Sequence, residues 1–286
     1  MVRPFMRTAI FTTAVLMQSS SAYADQICGE PNVPCKTDFG EYHIKLPDKR
    51  EDGIKPPIVV FLHGYGGSGK TALKNKGFIR AITDRGYAFV APTGLQRPGG
   101  RRGSWSFHPN FPKQRDEHAF IRGVADDAAR RFGLDASQVL LTGFSVGGSM
   151  VSYLACQHPN AFTAYAPLAG GFWRPHPAGC NGPVRLLHTH GWRDTTVPLE
   201  GRRLRGGAIK QGDVFHTLNI WRQANGCIEM RADKFVTKGP FWRRKWERCT
   251  PGSALEFALH TGGHGFPRGW STMILDWFEG LTTKRS

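Results

Sequence analysis

The sequence predicts an α/β fold in which helices cover both faces of a mostly parallel central sheet. Short apolar runs alternate with amphipathic segments along the chain, which is typical of parallel sheets. Residues 58–62 are apolar at every position and are soon followed by glycines, as expected of a strand buried on both faces. A second apolar run, residues 139–142, leads through a glycine-flanked turn into a segment with helical character.

The individual elements follow from spacing and end signals. Strands are expected at residues 42–46, 58–62, 87–91, 139–142, 184–188 and 255–260. Helices are expected at residues 71–85, 118–131, 146–156, 215–224 and 270–281. In the first helix Leu73, Phe78 and Ile82 fall on one side, and Gly133 ends the second.

Composition excludes several classes of protein. The 286 residues include 35 Gly, 19 Pro and eight Trp, and 40% of them are hydrophobic. This composition excludes a disordered chain, a collagen and a coiled coil. No apolar run reaches about 18 residues, so stable membrane insertion is not expected. Lys and Arg number 38 against 22 Asp and Glu, a formal charge of +16 that favours attraction to anionic surfaces.

The first 24 residues have the three parts of a secretory signal peptide. Arg3 and Arg7 precede the apolar residues 8–17, and a small-residue site ends at Ala22 and Ala24. An amphipathic anchor is the alternative. We expect cleavage near Ala24, a secreted or periplasmic location, and one catalytic domain over residues 25–286.

Six cysteines remain after that cleavage. An even number in an exported chain predicts disulfides, although the sequence permits many pairings. We expect sequence neighbours to pair, and zinc is disfavoured because no Cys-x-x-Cys occurs. The expected pairs are Cys28 with Cys35, Cys156 with Cys180, and Cys227 with Cys249.

Ser145 is the candidate nucleophile. It is the centre of Gly143-Phe144-Ser145-Val146-Gly147, a G-x-S-x-G sequence between an expected strand and an expected helix. Such an elbow exposes the serine hydroxyl at the edge of the sheet, and the helix N-terminus favours developing negative charge. A glycine-rich structural turn is the alternative.

A serine nucleophile needs a base and an orienting acid, which in this elbow follow in the order acid, then histidine. Asp194 lies just after the strand at residues 184–188, and His264 lies in a glycine-rich loop after the strand at 255–260. We therefore predict the triad Ser145, Asp194 and His264. The rival acids are Glu200 and Asp213, and the nearest rival histidines are His188, His190 and His260.

The loop after the strand at residues 58–62 supports two interpretations. As an oxyanion loop it supplies the Tyr65 amide, which joins the amide of Val146. Residues 64–71, from Gly64 to Thr71, also match the P-loop pattern G-x-x-x-x-G-K-[ST], which would place Lys70 on a phosphate. Export and disulfides argue against a nucleotide-binding protein, which stays an alternative, as does a non-catalytic hydrolase-like binding protein.

Together these motifs resemble the secreted α/β-hydrolase esterases grouped with polyhydroxybutyrate depolymerases and feruloyl esterases. The resemblance rests on the His63-Gly64 loop, the Ser145 elbow, and the segments around Asp194 and His264, and it covers most of the chain after residue 24. It implies an α/β-hydrolase fold, the same triad, ester hydrolysis and no cofactor or metal. Residues 115–117 depart from the Asp-Asp usual there, which affects the substrate pocket wall.

Two tryptophans and three basic runs give weaker indications about the substrate and the partners. Trp105 and Trp192 are candidate pocket residues, each equally compatible with a structural role. The ester substrate is expected to be polymeric or oligomeric. Basic runs occur at residues 97–102, 202–210 and 242–246. Because such runs are usually solvated faces, nucleic-acid binding is not expected, whereas attraction to anionic envelope material or acidic polysaccharide is.

Overall fold

A computed structural model describes residues 28–30, 33–50, 52–96 and 103–282. The expected signal peptide, its cleavage site and the basic run at residues 97–102 lie outside the described residues. No helix among the described residues is long and apolar enough to cross a bilayer.

Fifteen strands and six helices make up the described structure, together with a short 3-10 turn at Arg205–Gly207. The strands are β1 (Cys35–Thr37), β2 (Gly40–Lys45), β3 (Pro57–Leu62), β4 (Ala88–Pro92), β5 (Leu95–Gln96), β6 (Gly103–Ser104), β7 (Asp135–Phe144), β8 (Ala164–Leu168), β9 (Trp173–Arg174), β10 (Arg185–Gly191), β11 (Arg203–Leu204), β12 (Ile209–Gln211), β13 (Lys234–Lys238), β14 (Phe241–Trp246) and β15 (Ala254–His260). The helices are α1 (Gly69–Ala72), α2 (Lys76–Thr83), α3 (Glu117–Phe132), α4 (Val146–Gln157), α5 (Val214–Ala224) and α6 (Trp270–Thr282).

Ten strands form the central sheet, in the order β1-β2-β4-β3-β7-β8-β10-β15-β14-β13. The six from β4 to β15 pair in parallel, and the two strands at each end pair antiparallel. Because the carboxyl ends of parallel strands meet at one edge, the loops after β3, β7, β10 and β15 gather there. The expected α/β fold is confirmed.

Two hydrophobic cores lie on opposite faces of the sheet. On one face α3, α4 and α5 pack through residues such as Phe120, Val151 and Trp221. On the other face α2 and α6 pack through residues such as Ile82 and Ile274. Alternate side chains of each central strand enter each core, which explains why these strands are apolar at every position.

The structure has several strands that were not expected, most of them short, and three differences from the sequence-based expectation are instructive. The helix expected at residues 71–85 is broken, because the side chain of Asn75 accepts a hydrogen bond from the amide of Phe78 and starts α2 afresh. Strand β8 is not among the expected strands, and all five of its residues are buried although it contains Pro167, a residue that is rare in central strands. The basic run at residues 242–246, for which no element was expected, is part of β14.

The three expected disulfides are all present. Cys28 is bonded to Cys35, Cys156 to Cys180, and Cys227 to Cys249. The last encloses the hairpin β13–β14 between α5 and β15, the strand that leads to His264. This bond therefore joins the chain after α5 to the chain before β15, at the amino end of the strand that leads to His264.

Replacing Cys227 and Cys249 together by serine is expected to lower stability and activity at once. A loop with a sequence separation of 22 restricts the unfolded chain, which contributes about 3 kcal/mol. We expect the melting temperature to fall by roughly 5–10 °C. The matched control replaces Cys28 and Cys35, whose separation is 7 and which lie away from β15, and should cost less activity. Free thiols at 227 and 249 in non-reducing peptide mapping would refute the pairing.

Candidate active site

Ser145 occupies a strained turn between β7 and α4. Its φ and ψ are 58° and −119°, in a region that residues with side chains rarely adopt. Its amide donates to the carbonyl of Leu168 at 2.9 Å, which fixes the turn against β8. The strain directs the hydroxyl away from the sheet, at the edge where the neighbouring loops converge.

The two outer glycines of the elbow are required by close backbone contacts. A Cβ on Gly143 would lie 2.6 Å from the carbonyl of Gly147, and a Cβ on Gly147 would lie 2.1 Å from the carbonyl oxygen of Leu62. No side chain fits at either distance, so α4 packs directly on the end of β3.

The structure brings Ser145, His264 and Asp194 into one hydrogen-bonded line. His264 Nδ1 lies 2.7 Å from Asp194 Oδ2, and His264 Nε2 lies 2.9 Å from Ser145 Oγ. Because a carboxylate only accepts, the imidazole proton sits on Nδ1 and the serine hydroxyl donates to Nε2. This arrangement allows the imidazole to remove the serine proton during attack on a carbonyl carbon.

The Asp194 carboxylate is held from both sides. Its Oδ1 accepts the amides of Thr196 and Val197 at 2.9 and 2.8 Å. Burial alone would raise the pKa of Asp194, but the hydrogen bonds from His264 and the Val197 amide hold that pKa below its usual value. The carboxylate therefore stays ionised beside the imidazole.

Behind Asp194 lies a pair of buried histidines, His188 and His190. His190 Nε2 is 2.8 Å from the Val197 carbonyl, which can only accept, so this nitrogen carries the proton and Nδ1 accepts from His188 Nε2 at 3.1 Å. Burial lowers the pKa of both rings, which keeps them neutral. The His190 N–H also faces Asp194 Oδ2 at 3.5 Å, opposite His264, and so helps to fix the carboxylate.

The rival residues lie in other positions. His260 ends β15 and its Nδ1 accepts the amide of Gly262. Asp213 caps α5 through the amide of His216, and Glu200 is exposed. The structure thus places none of them in line with Ser145 in the way that it places His264.

The loop after β3, which the sequence predicts to be an oxyanion loop, is fixed by His63, and no sequence motif indicates this role of His63. The Gly94 amide donates to His63 Nε2 at 2.9 Å, so Nδ1 carries the proton and donates to the Gly64 carbonyl at 2.8 Å. Burial lowers the pKa of His63, which keeps this neutral tautomer. Trp105 Nε1 donates to the His63 carbonyl at 2.9 Å. A Cβ on Gly64 would lie 3.5 Å from Ser145 Cβ, so the loop borders the serine.

The two candidate pocket tryptophans lie on different sides of the site. Trp105 is buried behind the oxyanion loop and borders a cavity of about 200 Å³ with Phe107, His108 and Phe111. Trp192 is 57% exposed, on the loop that carries Asp194, and its amide donates to the His260 carbonyl. Trp105 thus also has the structural role that its sequence context allowed.

Among the described residues, no group of three or more His, Cys, Asp or Glu side chains is arranged to hold a metal ion. The chemistry described above uses only side chains and backbone amides of this chain.

Comparison with known proteins identifies the family. The sequence profile of the phospholipase/carboxylesterase family matches residues 49–211. The chain belongs to this phospholipase/carboxylesterase family. It is 27% identical to feruloyl esterase C of Emericella nidulans over 239 residues, which cover 80% of this chain and 78% of that protein. It is 24% identical to the probable feruloyl esterase C of Aspergillus terreus over 238 residues, covering 80% and 78%.

Solved structures agree on the α/β-hydrolase fold. The acetyl xylan esterase from Aspergillus awamori superposes with a TM-score of 0.60 at 18% identity, covering 84% of this chain and 94% of that one. As a member of the carboxylesterase family, the protein is a carboxylic-ester hydrolase. The resemblance stated from the motifs is confirmed at the level of family, fold and reaction class.

Family membership also bears on the P-loop pattern at residues 64–71. In this carboxylesterase the amides of Gly66 and Gly67 donate to the carbonyls of Gly103 and Gly64, and the Gly69 amide donates to Thr93 Oγ1 at 3.1 Å. A phosphate cradle needs such amides to point at the ligand. The following helix α1 has only four residues, and Lys70 is exposed.

Replacing Lys70 by alanine is therefore expected to leave ester hydrolysis within a few-fold of the wild-type rate. The side chain lies on the surface of α1, and the pattern match is accidental. Steady-state kinetics on p-nitrophenyl acetate and titration with ATP provide the check. Tight ATP binding that Lys70→Ala abolishes would reverse this interpretation.

Proposed function

We propose that Ser145 is the nucleophile, His264 the general base and Asp194 the group that orients His264. The single observation that carries this proposal is the hydrogen-bonded line from Asp194 Oδ2 through His264 to Ser145 Oγ, with distances of 2.7 and 2.9 Å. Side chains separated by as many as 119 positions meet there, in the geometry that activates a serine hydroxyl.

In the proposed reaction, Ser145 Oγ attacks the ester carbonyl carbon while His264 Nε2 takes its proton. The oxyanion is held by the amides of Val146 and Tyr65. Val146 is the first residue of α4, so its N–H precedes the helix's own hydrogen-bond ladder and adds the favourable end of the helix dipole. His264 then protonates the leaving alcohol. In the second half of the reaction His264 takes a proton from water, the water attacks the acyl carbonyl carbon, and the acid is released as Ser145 regains its proton.

As the substrate we propose an ester of an aromatic acid of the feruloyl type. The cavity beside the oxyanion loop is lined by aromatic rings, among them Trp105, Phe107 and Phe111. Its volume of about 200 Å³ matches a single substituted ring. Relatives named feruloyl esterases support the same substrate class. Acetyl esters and hydroxyalkanoate oligomers are the competing substrates.

A substrate screen tests this proposal. Methyl ferulate, p-nitrophenyl acetate and a hydroxybutyrate trimer are compared by kcat/KM on the wild-type protein. We expect kcat/KM for methyl ferulate to exceed that for the trimer, because only a planar ring fills the aromatic cavity. Faster turnover of the trimer would contradict the aromatic assignment and favour a polyhydroxyalkanoate-type substrate.

The proposal also includes export. Cleavage near Ala24 would leave residues 25–286 as one secreted or periplasmic catalytic domain, and the three disulfides support an oxidising location. N-terminal sequencing of the protein recovered outside the cytoplasm tests this directly. Asp25 is the expected first residue, and an uncleaved chain would contradict it.

A further inference from the structure

A second, apolar groove begins next to the catalytic loops and has no part in the chemistry described above. Its volume is about 410 Å³, and it lies between α5 and the neighbouring antiparallel strands β14 and β15. Phe215 and Met230 line it together with Trp192, and all three are exposed, at 49%, 76% and 57%. Exposed large apolar side chains gathered in one concave place indicate a binding surface.

The groove is also positively charged. Two arginines, Arg222 and Arg244, line it, and the described lining contains no carboxylate. The neighbours of Arg244 in β14, Arg243 and Lys245, face the other side of the sheet, where both pair with Glu256 at 2.5 and 3.0 Å. Arg244 instead lies over the ring of Phe235 at 5.0 Å, which leaves its charge open to a ligand on the groove side.

The groove is continuous with the catalytic edge of the sheet. Trp192 is two residues before Asp194, and its amide donates to the carbonyl of His260 at 2.7 Å. A molecule in the groove therefore lies beside the loops of Asp194 and His264, on the side of the site away from Trp105 and its aromatic cavity. This position suits the non-reacting part of the substrate, the alcohol side of the ester.

We propose that the groove binds a strand of acidic polysaccharide that carries the ester, with sugar faces stacked on Trp192 and Phe215 and uronate carboxylates paired with Arg222 and Arg244. This inference rests on the proposed ester hydrolysis at Ser145. Flat aromatic faces suit the apolar faces of sugar rings, and guanidinium groups bind carboxylates through paired hydrogen bonds.

Other occupants fit the groove less well. A second copy of the chain docked symmetrically through this face would place its arginines against those of the first, which like charge opposes. A neutral polyester would bury the two arginines without a counter-charge, at a cost in desolvation. Single-stranded nucleic acid suits arginines and aromatic rings, but its backbone does not contain the carboxylic ester that the adjoining site hydrolyses.

Binding is measured in the Ser145→Ala variant, so that any residual esters on the ligand stay intact during the titration. Isothermal titration with polygalacturonate is compared with neutral β-glucan and with an oligothymidylate. We expect polygalacturonate to bind most tightly, with an affinity that falls as salt is raised because the contacts are ionic. Arg244→Gln and Phe215→Ala should each weaken it by about tenfold, about 1.4 kcal/mol.

Arg80→Gln is the matched control, since Arg80 lies on α2 at the opposite face of the sheet and is highly exposed. It should bind polygalacturonate like the parent. Arg222→Gln serves as the second test if melting curves show that Arg244→Gln is unfolded. Equal affinity for β-glucan, tighter binding of the oligothymidylate, a dimer that closes the groove, or no effect of either arginine change would overturn the proposal.

The two proposals fail separately. If polygalacturonate does not bind while the Ser145-containing protein hydrolyses methyl ferulate, the groove assignment is wrong and the proposed function stands. If polygalacturonate binds but no ester is hydrolysed, the proposed function is wrong. The groove then binds acidic polysaccharide, but the part of the proposal that links it to ester hydrolysis is overturned.

Discussion

Replacing Ser145 by alanine is expected to lower kcat/KM for ester hydrolysis on the order of 10³-fold or more, with the fold retained. The substitution removes the atom that we propose bonds to the acyl group and leaves the proposed oxyanion amides in place, so a residual rate above that in water is expected. Because φ at this position is 58°, alanine keeps the strain of serine and adds no new contact. Kinetics on p-nitrophenyl acetate and a melting curve provide the two measurements.

Ser149→Ala is the matched control for that experiment. Ser149 lies one turn further along α4, where its hydroxyl accepts a hydrogen bond from Trp173 rather than contacting His264. We expect its rate to stay within a few-fold of wild type. Near-normal turnover by purified Ser145→Ala would show that another residue is the nucleophile.

Replacing His264 by alanine is expected to be comparably damaging, on the order of 10³-fold in kcat. Without the imidazole, Ser145 has no acceptor for its proton, and the leaving alcohol has no donor. Asp194→Asn should cost less, because His264 keeps a hydrogen-bond partner at Nδ1. The affinity for substrate should change little in both variants, so the loss appears in kcat rather than KM.

The variant His260→Ala distinguishes the role of His260, the last residue of β15, from that of His264 in the loop that follows. His260 is buried and its Nδ1 accepts the Gly262 amide, so its loss should act mainly on stability and on the loop that carries His264. If His260→Ala has the lower kcat of the two at equal folded fraction, the assignment of His264 as the base is wrong.

The sequence was informative where local chemistry determines local structure. The glycines around Ser145 are required by backbone contacts at 2.6 and 2.1 Å, so their spacing, together with the strand before and the helix after, predicts the elbow. Asp194 and His264 were found because each follows an apolar strand, and parallel strands end at one edge. Their separation from Ser145 along the chain did not matter, since the topology brings those ends together.

The sequence was less informative where a residue acts through distant partners. Nothing near His63 predicts that Gly94 and Trp105 would hold it, because those partners are 31 and 42 positions away. His188 and His190 are only rival candidates for the base in the sequence, and the fold shows that His190 faces Asp194. For His63, the one signal in the sequence is its position directly before Gly64, at the start of the loop after β3.

The basic residues of β14 show that a run of charged residues in the sequence can belong to a strand with two different faces. Residues 242–246 read as a run of cations with tryptophans, yet the alternation of β14 places Trp242 and Arg244 on one face and Arg243 and Lys245 on the other. The second pair shares the single carboxylate of Glu256, which lies on the neighbouring strand β15 and balances one of the two charges. Net charge alone therefore overstates how many of these cations are available to an anionic partner.

Labelling with a fluorophosphonate tests directly whether Ser145 is an activated nucleophile, since the reagent forms a bond only with such a group. Attack by Ser145 Oγ on phosphorus displaces fluoride and leaves a stable phosphonyl ester, which peptide mass mapping locates. We expect one adduct per chain, on Ser145, formed on the order of 10²-fold more slowly in His264→Ala. A chain that is not labelled, or an adduct on any other residue, would contradict it.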